Sequence, residues 1–175
     1  MDIEALFRSF DGKSVEPFRK AAAGLPPTQG TLHDLVIRAS DGGRPMEIGS
    51  TWVLKHLLEN GVTADESLAP ELQGLLSTLN EDEARLHVLQ CLPHVDLDVR
   101  AGRAAALFGT LLGLKGARNA FVRAWAYNAL GLLAARSPGH RARVENLFAQ
   151  AADSESAAVR ARIRHASRLL AKHPR

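Results

Sequence analysis

The sequence predicts an all-α fold: an α-solenoid of about four helical hairpins behind an N-terminal helical segment. Three observations predict it. Leu and Ala dominate the 175 residues while β-branched and aromatic side chains are scarce, a composition that favours helix over strand. Apolar residues recur at helical spacing in short segments set between turn signals. Several of those segments also repeat one another along the chain.

Taken in order, helical spacing covers 3–10, 14–23, 31–40, 46–60, 67–79, 82–92, 98–112, 119–135, 139–152 and 156–172. The breaks fall at GLPPTQG (24–30), DGGRP (41–45), NG (60–61), LPHVD (92–96), GLKG (113–116) and SPG (137–139), all turn-forming chemistry. Thr31, Ser67 and Ser156 are placed to accept from the free amides of a first helical turn. Pro45 and Pro70 stand near helix starts, where a missing N–H costs nothing. The acids Glu81, Asp82 and Glu83 favour a helix start through the dipole. Residues 1–30 are expected to form a helical segment packed on a repeat domain spanning 31–175, one structural domain in all.

The second helix of each expected pair aligns with the others. GSTWVLKHLLENG (49–61), ARLHVLQCLPHV (84–95), VRAWAYNALGLLA (122–134) and VRARIRHASRLLA (159–171) follow at offsets of 35, 38 and 37 residues. Arg85, Arg123 and Arg160 fall in register, as do Val53, Val88, Ala126 and Ile163. A helix pair recurring at this interval cannot hide its apolar face alone, and stacking of neighbours hides it. The buried stripes are then Val122, Ala126, Ala129, Leu130 and Leu133 on one helix and Val159, Ile163, Ala166 and Leu170 on the last.

The run Val122-Arg123-Ala124-Trp125-Ala126-Tyr127-Asn128-Ala129-Leu130-Gly131 resembles the inner helix of HEAT repeats, whose pattern is Val-Arg, small residues, then Ala-Leu-Gly-x-Leu. Val159-Arg160 repeats the opening, Ser167-Arg168 replaces the Leu-Gly, and Gly49-Ser50 replaces the Val-Arg of the first copy. Val99-Arg100 also matches the opening, which leaves the parity of inner and outer helices between 82 and 112 open. The resemblance covers about residues 31 to 172 and implies a repeat scaffold shared by many unrelated roles.

Charge is divided along the chain. Up to residue 97 there are 8 Lys/Arg against 15 Asp/Glu; from 98 onward there are 14 against 4. Two differently solvated surfaces explain this, and so does a basic surface for an acidic partner, protein or nucleic acid. On the last helix Arg160, Arg164, Arg168 and Lys172 form a row, suited to a terminal capping helix or to a contact surface.

Two register positions combine aromatic and polar groups. Trp52, His87, Trp125 and Arg162 share one; Lys55, Gln90, Asn128 and His165 share another three residues on, the next place along the same helix face. Such a ladder has the composition of a binding groove, with rings for stacking and donors for phosphate or carbonyl oxygen. The alternative is packing between repeats. Phe121 and Leu132 flank Trp125 on the helical wheel, whereas Ile48 and Glu59 flank Trp52, so Trp125 is expected to be the more buried.

Catalytic signals are sparse. The seven histidines (33, 56, 87, 94, 140, 165, 173) include no HxxxH, and a single cysteine, Cys91, excludes a paired-thiol zinc site, so no metal and no cofactor is expected. Cys91 sits on an apolar face, the setting of a packed thiol. DGGRP lacks the strand and the Lys-Ser/Thr of a phosphate loop. Some HEAT-like proteins excise alkylated bases from DNA, but that chemistry wants a carboxylate near the flipped base, and the acid nearest the ladder is Glu59. No apolar run reaches the length of about eighteen residues that spans a membrane. An acidic start, MDIEALFRSF, and one cysteine point to the cytoplasm. The expectation is a non-enzymatic protein-binding scaffold; a nucleic-acid-binding solenoid using the basic C-terminal half comes second and a base-excision enzyme a distant third.

Overall fold

Every segment with helical spacing forms a helix. The computed structural model describes residues 1–172; His173 lies outside them. Among the described residues there are ten α-helices, two 3-10 turns and no strand. The helices are α1 (Ile3–Arg8), α2 (Glu16–Gly24), α3 (Gln29–Asp41), α4 (Gly43–Glu59), α5 (Leu68–Thr78), α6 (Asp82–Cys91), α7 (Ala101–Leu114), α8 (Ala120–Arg136), α9 (Arg141–Ser154) and α10 (Ala157–Ala171). The chain divides into two compact units, the first ending at Asp96 and the second beginning at Leu97. The change of charge falls at that same boundary.

In the first unit α3 packs on α4 and α5 on α6, while α4 also packs on α6 and α3 on α5. Helices α1 and α2 both lie against α4. Phe7 of α1 sits directly over Gly49, where any Cβ would run into its ring. The small residue at position 49 makes room for the N-terminal helix. Rings continue the seam. Phe18 meets Phe7 edge-on at 5.8 Å, Phe10 at 4.5 Å and Trp52 at 5.8 Å.

Local polar chemistry sets the helix ends, in places by residues other than those expected. Ser156 accepts from the Val159 amide as expected (3.4 Å). For α3 the cap is Thr28, which accepts from the Thr31 amide, while the Thr31 hydroxyl donates to the Pro26 carbonyl at 2.6 Å. The backbone at Thr28, just after Pro26 and Pro27, is extended, and the helix begins at Gln29, two residues earlier than expected. For α5 the acceptor is Asp65, whose Oδ1 takes the Ser67 and Leu68 amides at 3.0 and 3.2 Å, because a carboxylate is the stronger acceptor. Gly61 takes φ +88° after α4, and the Val62 and Gly61 amides close back on the Leu57 and Leu58 carbonyls.

Two buried polar devices tie helices to turns. Glu47, 5% exposed, accepts from the backbone amides of Asn80 and Glu81 (2.9 Å each) and from the Asn80 side chain (3.0 Å). The in-register arginines form the second device. Arg85 donates to the Leu79 carbonyl (2.6 Å), Arg123 to those of Ala117 and Arg118 (2.8 and 2.9 Å), and Arg160 to that of Glu155 (2.7 Å). Each satisfies carbonyls of the turn just before its own helix. Val99-Arg100 does not share this role: it precedes α7, and Arg100 Nε donates to Asp98 at 2.8 Å.

In the second unit α7 and α9 each pack on α8, and α9 packs on α10, but the most extensive contact joins α8 to α10. The expected stripes are buried on both helices, with Val122, Ala126, Leu130, Leu133, Val159 and Ala166 fully enclosed. The approach is close at Gly131, where a Cβ would stand 2.8 Å from the Ala166 Cβ. Neither atom can rotate away, so Gly131→Ala should destabilise by about 1–3 kcal/mol through overpacking. Gly74→Ala, in an open part of α5, should instead stabilise by roughly 0.5–1 kcal/mol. Urea unfolding checks the pair; a Gly131→Ala midpoint at or above wild type would contradict the close approach.

Candidate functional site

The first unit uses its ladder residues internally. Trp52 is half-buried, stacks on His56 at 5.1 Å and meets Phe18 of α2, so the ring anchors the N-terminal helices to α4. Lys55 pairs with Glu59 at 3.2 Å, which also engages the acid nearest the ladder. His87 is buried, with Nδ1 3.1 Å from the Thr51 hydroxyl oxygen. That hydroxyl spends its proton on the Glu47 carbonyl at 2.6 Å, so His87 Nδ1–H is the donor between them. Burial, then the Lys55 charge, lowers the His87 pKa to about 3, which keeps the ring neutral. Gln90 is half-buried on the same helix. Cys91 is fully buried, and burial pushes its thiol up, away from the reactive thiolate.

The second unit arranges its ladder residues differently. The Arg162 guanidinium lies 4.1 Å from the centre of the Trp125 ring, so α10 places a cation directly on the aromatic of α8. Trp125 is half-buried, in the same class as Trp52, but its partner is a charge where that of Trp52 is a cluster of rings. Phe121, expected to help seal Trp125, is 67% exposed. It belongs to the first turn of α8. Asn128 is 3% exposed and its Oδ1 has no hydrogen-bond donor. Such an unmet buried acceptor costs about 1–3 kcal/mol. His165 is exposed; partial burial, followed by the charges of Arg162, Arg168 and Lys172, lowers its pKa.

Of the basic row on α10, Arg164, Arg168 and Lys172 are exposed as expected. Arg160 is not free surface, because its guanidinium is spent on the Glu155 carbonyl. Neither α8 nor α10 contains an Asp or Glu. Elsewhere in the unit Glu155 pairs with Arg123 at 3.2 Å, Glu145 with Arg141 at 2.9 Å, and Asp98 with Arg100 and Arg103. The face formed by Phe121, Trp125, Arg162 and His165 therefore combines aromatic and cationic chemistry without a carboxylate on either helix.

One cluster carried no sequence signal. His33 of α3 has Glu71 at 2.8 Å on Nδ1 and Asp65 at 3.1 Å on Nε2, partners 38 and 32 residues away. The Ser67 hydroxyl lies 3.4 Å from Nε2, which gives a serine, an imidazole and a carboxylate in sequence. The charges argue against a nucleophile. Both ring nitrogens face carboxylates, so the protonated ring donates twice and has no lone pair for the serine proton. Ser67 instead donates to Asp65 at 2.7 Å. The cluster ties α3 to the start of α5. No group of three or more His, Cys, Asp or Glu residues among the described residues is placed to hold a metal ion.

Hydrogen bonds to Glu71 and then Asp65 raise the His33 pKa above 6.5, while Ser67 and then His33 lower that of Asp65 to about 2. The stabilisation from His33 is thus complete below an unfolded pKa of about 6.5 and disappears as pH rises through the folded value. Asp65 remains ionised in this range. His33→Gln should therefore lower the urea midpoint more at pH 5.5 than at pH 9. An equal decrease at both values would contradict a charged His33.

Compared with protein-family models, with curated proteins and with solved structures, the chain finds no match.

Proposed function

We propose that this chain is a non-enzymatic, HEAT-like α-solenoid module that binds a protein partner in the cytoplasm. The repeated arginine supports the repeat assignment: Arg85, Arg123 and Arg160 hold equivalent register positions and close equivalent turns. The lone buried thiol suits a reducing compartment. Among the described residues no helix is long and apolar enough to cross a membrane.

The observation that carries a binding role is the α8–α10 face. Phe121 is left in solvent and Arg162 is held on Trp125, arrangements that do not fill the core. Exposed aromatics and arginines of this kind are the residues on which interfaces concentrate their energy. A nucleic-acid partner comes second, favoured by the absence of acids on α8 and α10. Base excision has less support, since Glu59 is paired with Lys55.

Affinity purification of the tagged protein from its native host, with nuclease treatment, tests the module. A protein partner should be enriched by wild type and reduced at least about tenfold by Phe121→Ser with Arg162→Gln, a loss of roughly 1.4 kcal/mol or more. Enrichment unchanged by the double variant, or abolished by nuclease, would overturn the proposal.

A further inference from the structure

We infer that the α8–α10 face docks an acidic polypeptide segment that carries an apolar or aromatic side chain beside its carboxylates. This rests on the protein-interaction module proposed above and names its partner chemistry.

Charge is the first ground. The chain from residue 98 onward holds 14 Lys/Arg against 4 Asp/Glu. Three of those four acids are already engaged, Asp98 by Arg100 and Arg103, Glu145 by Arg141 and Glu155 by Arg123. An incoming carboxylate therefore meets complementary potential and no acid on either helix of the face.

The form of the cation is the second. The Arg162 guanidinium lies over the Trp125 ring, 4.1 Å from its centre, a contact that restrains the side chain before any ligand arrives. A guanidinium restrained in this way can take a carboxylate through two parallel N–H donors and loses less side-chain freedom in doing so. Phe121 stands one turn earlier on α8, 67% exposed, and offers apolar contact beside that fork.

Trp125 then separates a polypeptide from a nucleic acid. Arg162 covers a face of the Trp125 ring, where a base would have to stack. The spacing supports a single segment: Phe121 and Trp125 follow one stripe of α8, and Arg162 and His165 follow a stripe of α10.

The full chain should be titrated by fluorescence anisotropy, at low salt, into three labelled probes. They are a 15-residue peptide alternating Glu with Leu and Phe, its Gln counterpart, and a 15-nucleotide oligo-dT. The Glu peptide should bind, and the Gln peptide about tenfold or more weakly. Arg162→Gln should weaken the Glu peptide by a similar factor, and Phe121→Ser, at a solvent-exposed position, by a smaller one. Arg19→Gln, which removes one exposed charge from α2, should leave it unchanged. Circular dichroism of each variant confirms that loss of binding is not loss of fold. The inference is overturned if wild type fails to bind the Glu peptide, if Arg19→Gln weakens it as much as Arg162→Gln, or if oligo-dT binds more tightly than the peptide. If the peptide fails while nuclease-resistant protein enrichment persists, the acidic chemistry falls and the interaction module stands. If both fail, both fall.

Discussion

The distance between α8 and α10 is set by the absence of a side chain. Gly131 faces Ala166 so closely that one added methyl would overlap its Cβ. Two helices at that separation interlock small residues and gain dispersion contact along their length, while Leu130, Leu133 and Val159 close the core around them. The same separation lets a side chain of α10 cover a ring of α8. Arg162 reaches Trp125 because the helices are close and in register, so the candidate site is a consequence of the packing beneath it.

The first unit solves a related problem with different residues. There α1 and α2 both cover α4. Gly49 admits Phe7, and Phe10, Phe18 and Trp52 extend the seam. Trp52 is thereby committed to structure, whereas the equivalent ring in the second unit faces a cation. Positions that align in the sequence do different work because their neighbours differ, and alignment alone cannot assign a function to either.

Much of the fold was legible for a specific reason. Helical period and turn chemistry are local, so all ten helices were expected, with ends within three residues of those found. The stripes of α8 and α10 followed from the same period. What stayed hidden depends on distant partners. Glu47 reads as one more helical glutamate until Asn80 and Glu81 bring their amides to it. His33 meets its carboxylates across more than thirty residues, with no motif to announce them. At the candidate site, Trp125, Asn128, Arg162 and His165 were legible as register mates. The exposure of Phe121 was not, because a helical wheel gives direction around the axis but not how far the neighbouring helix extends. The diversion of Arg160 to the Glu155 carbonyl was missed for a similar reason: a row of like charges resembles surface until the turn beside it is seen.

If α8 and α10 are locked together at Gly131 and Ala166, they should open together. Native-state hydrogen exchange on the full chain, followed amide by amide against low concentrations of denaturant, measures this directly. The account predicts that the slowest amides of α8, near Ala126–Leu133, and those of α10, near Ile163–Leu170, share one opening free energy and one denaturant dependence. Opening of α10 at a distinctly lower free energy, with α8 still protected, would contradict it.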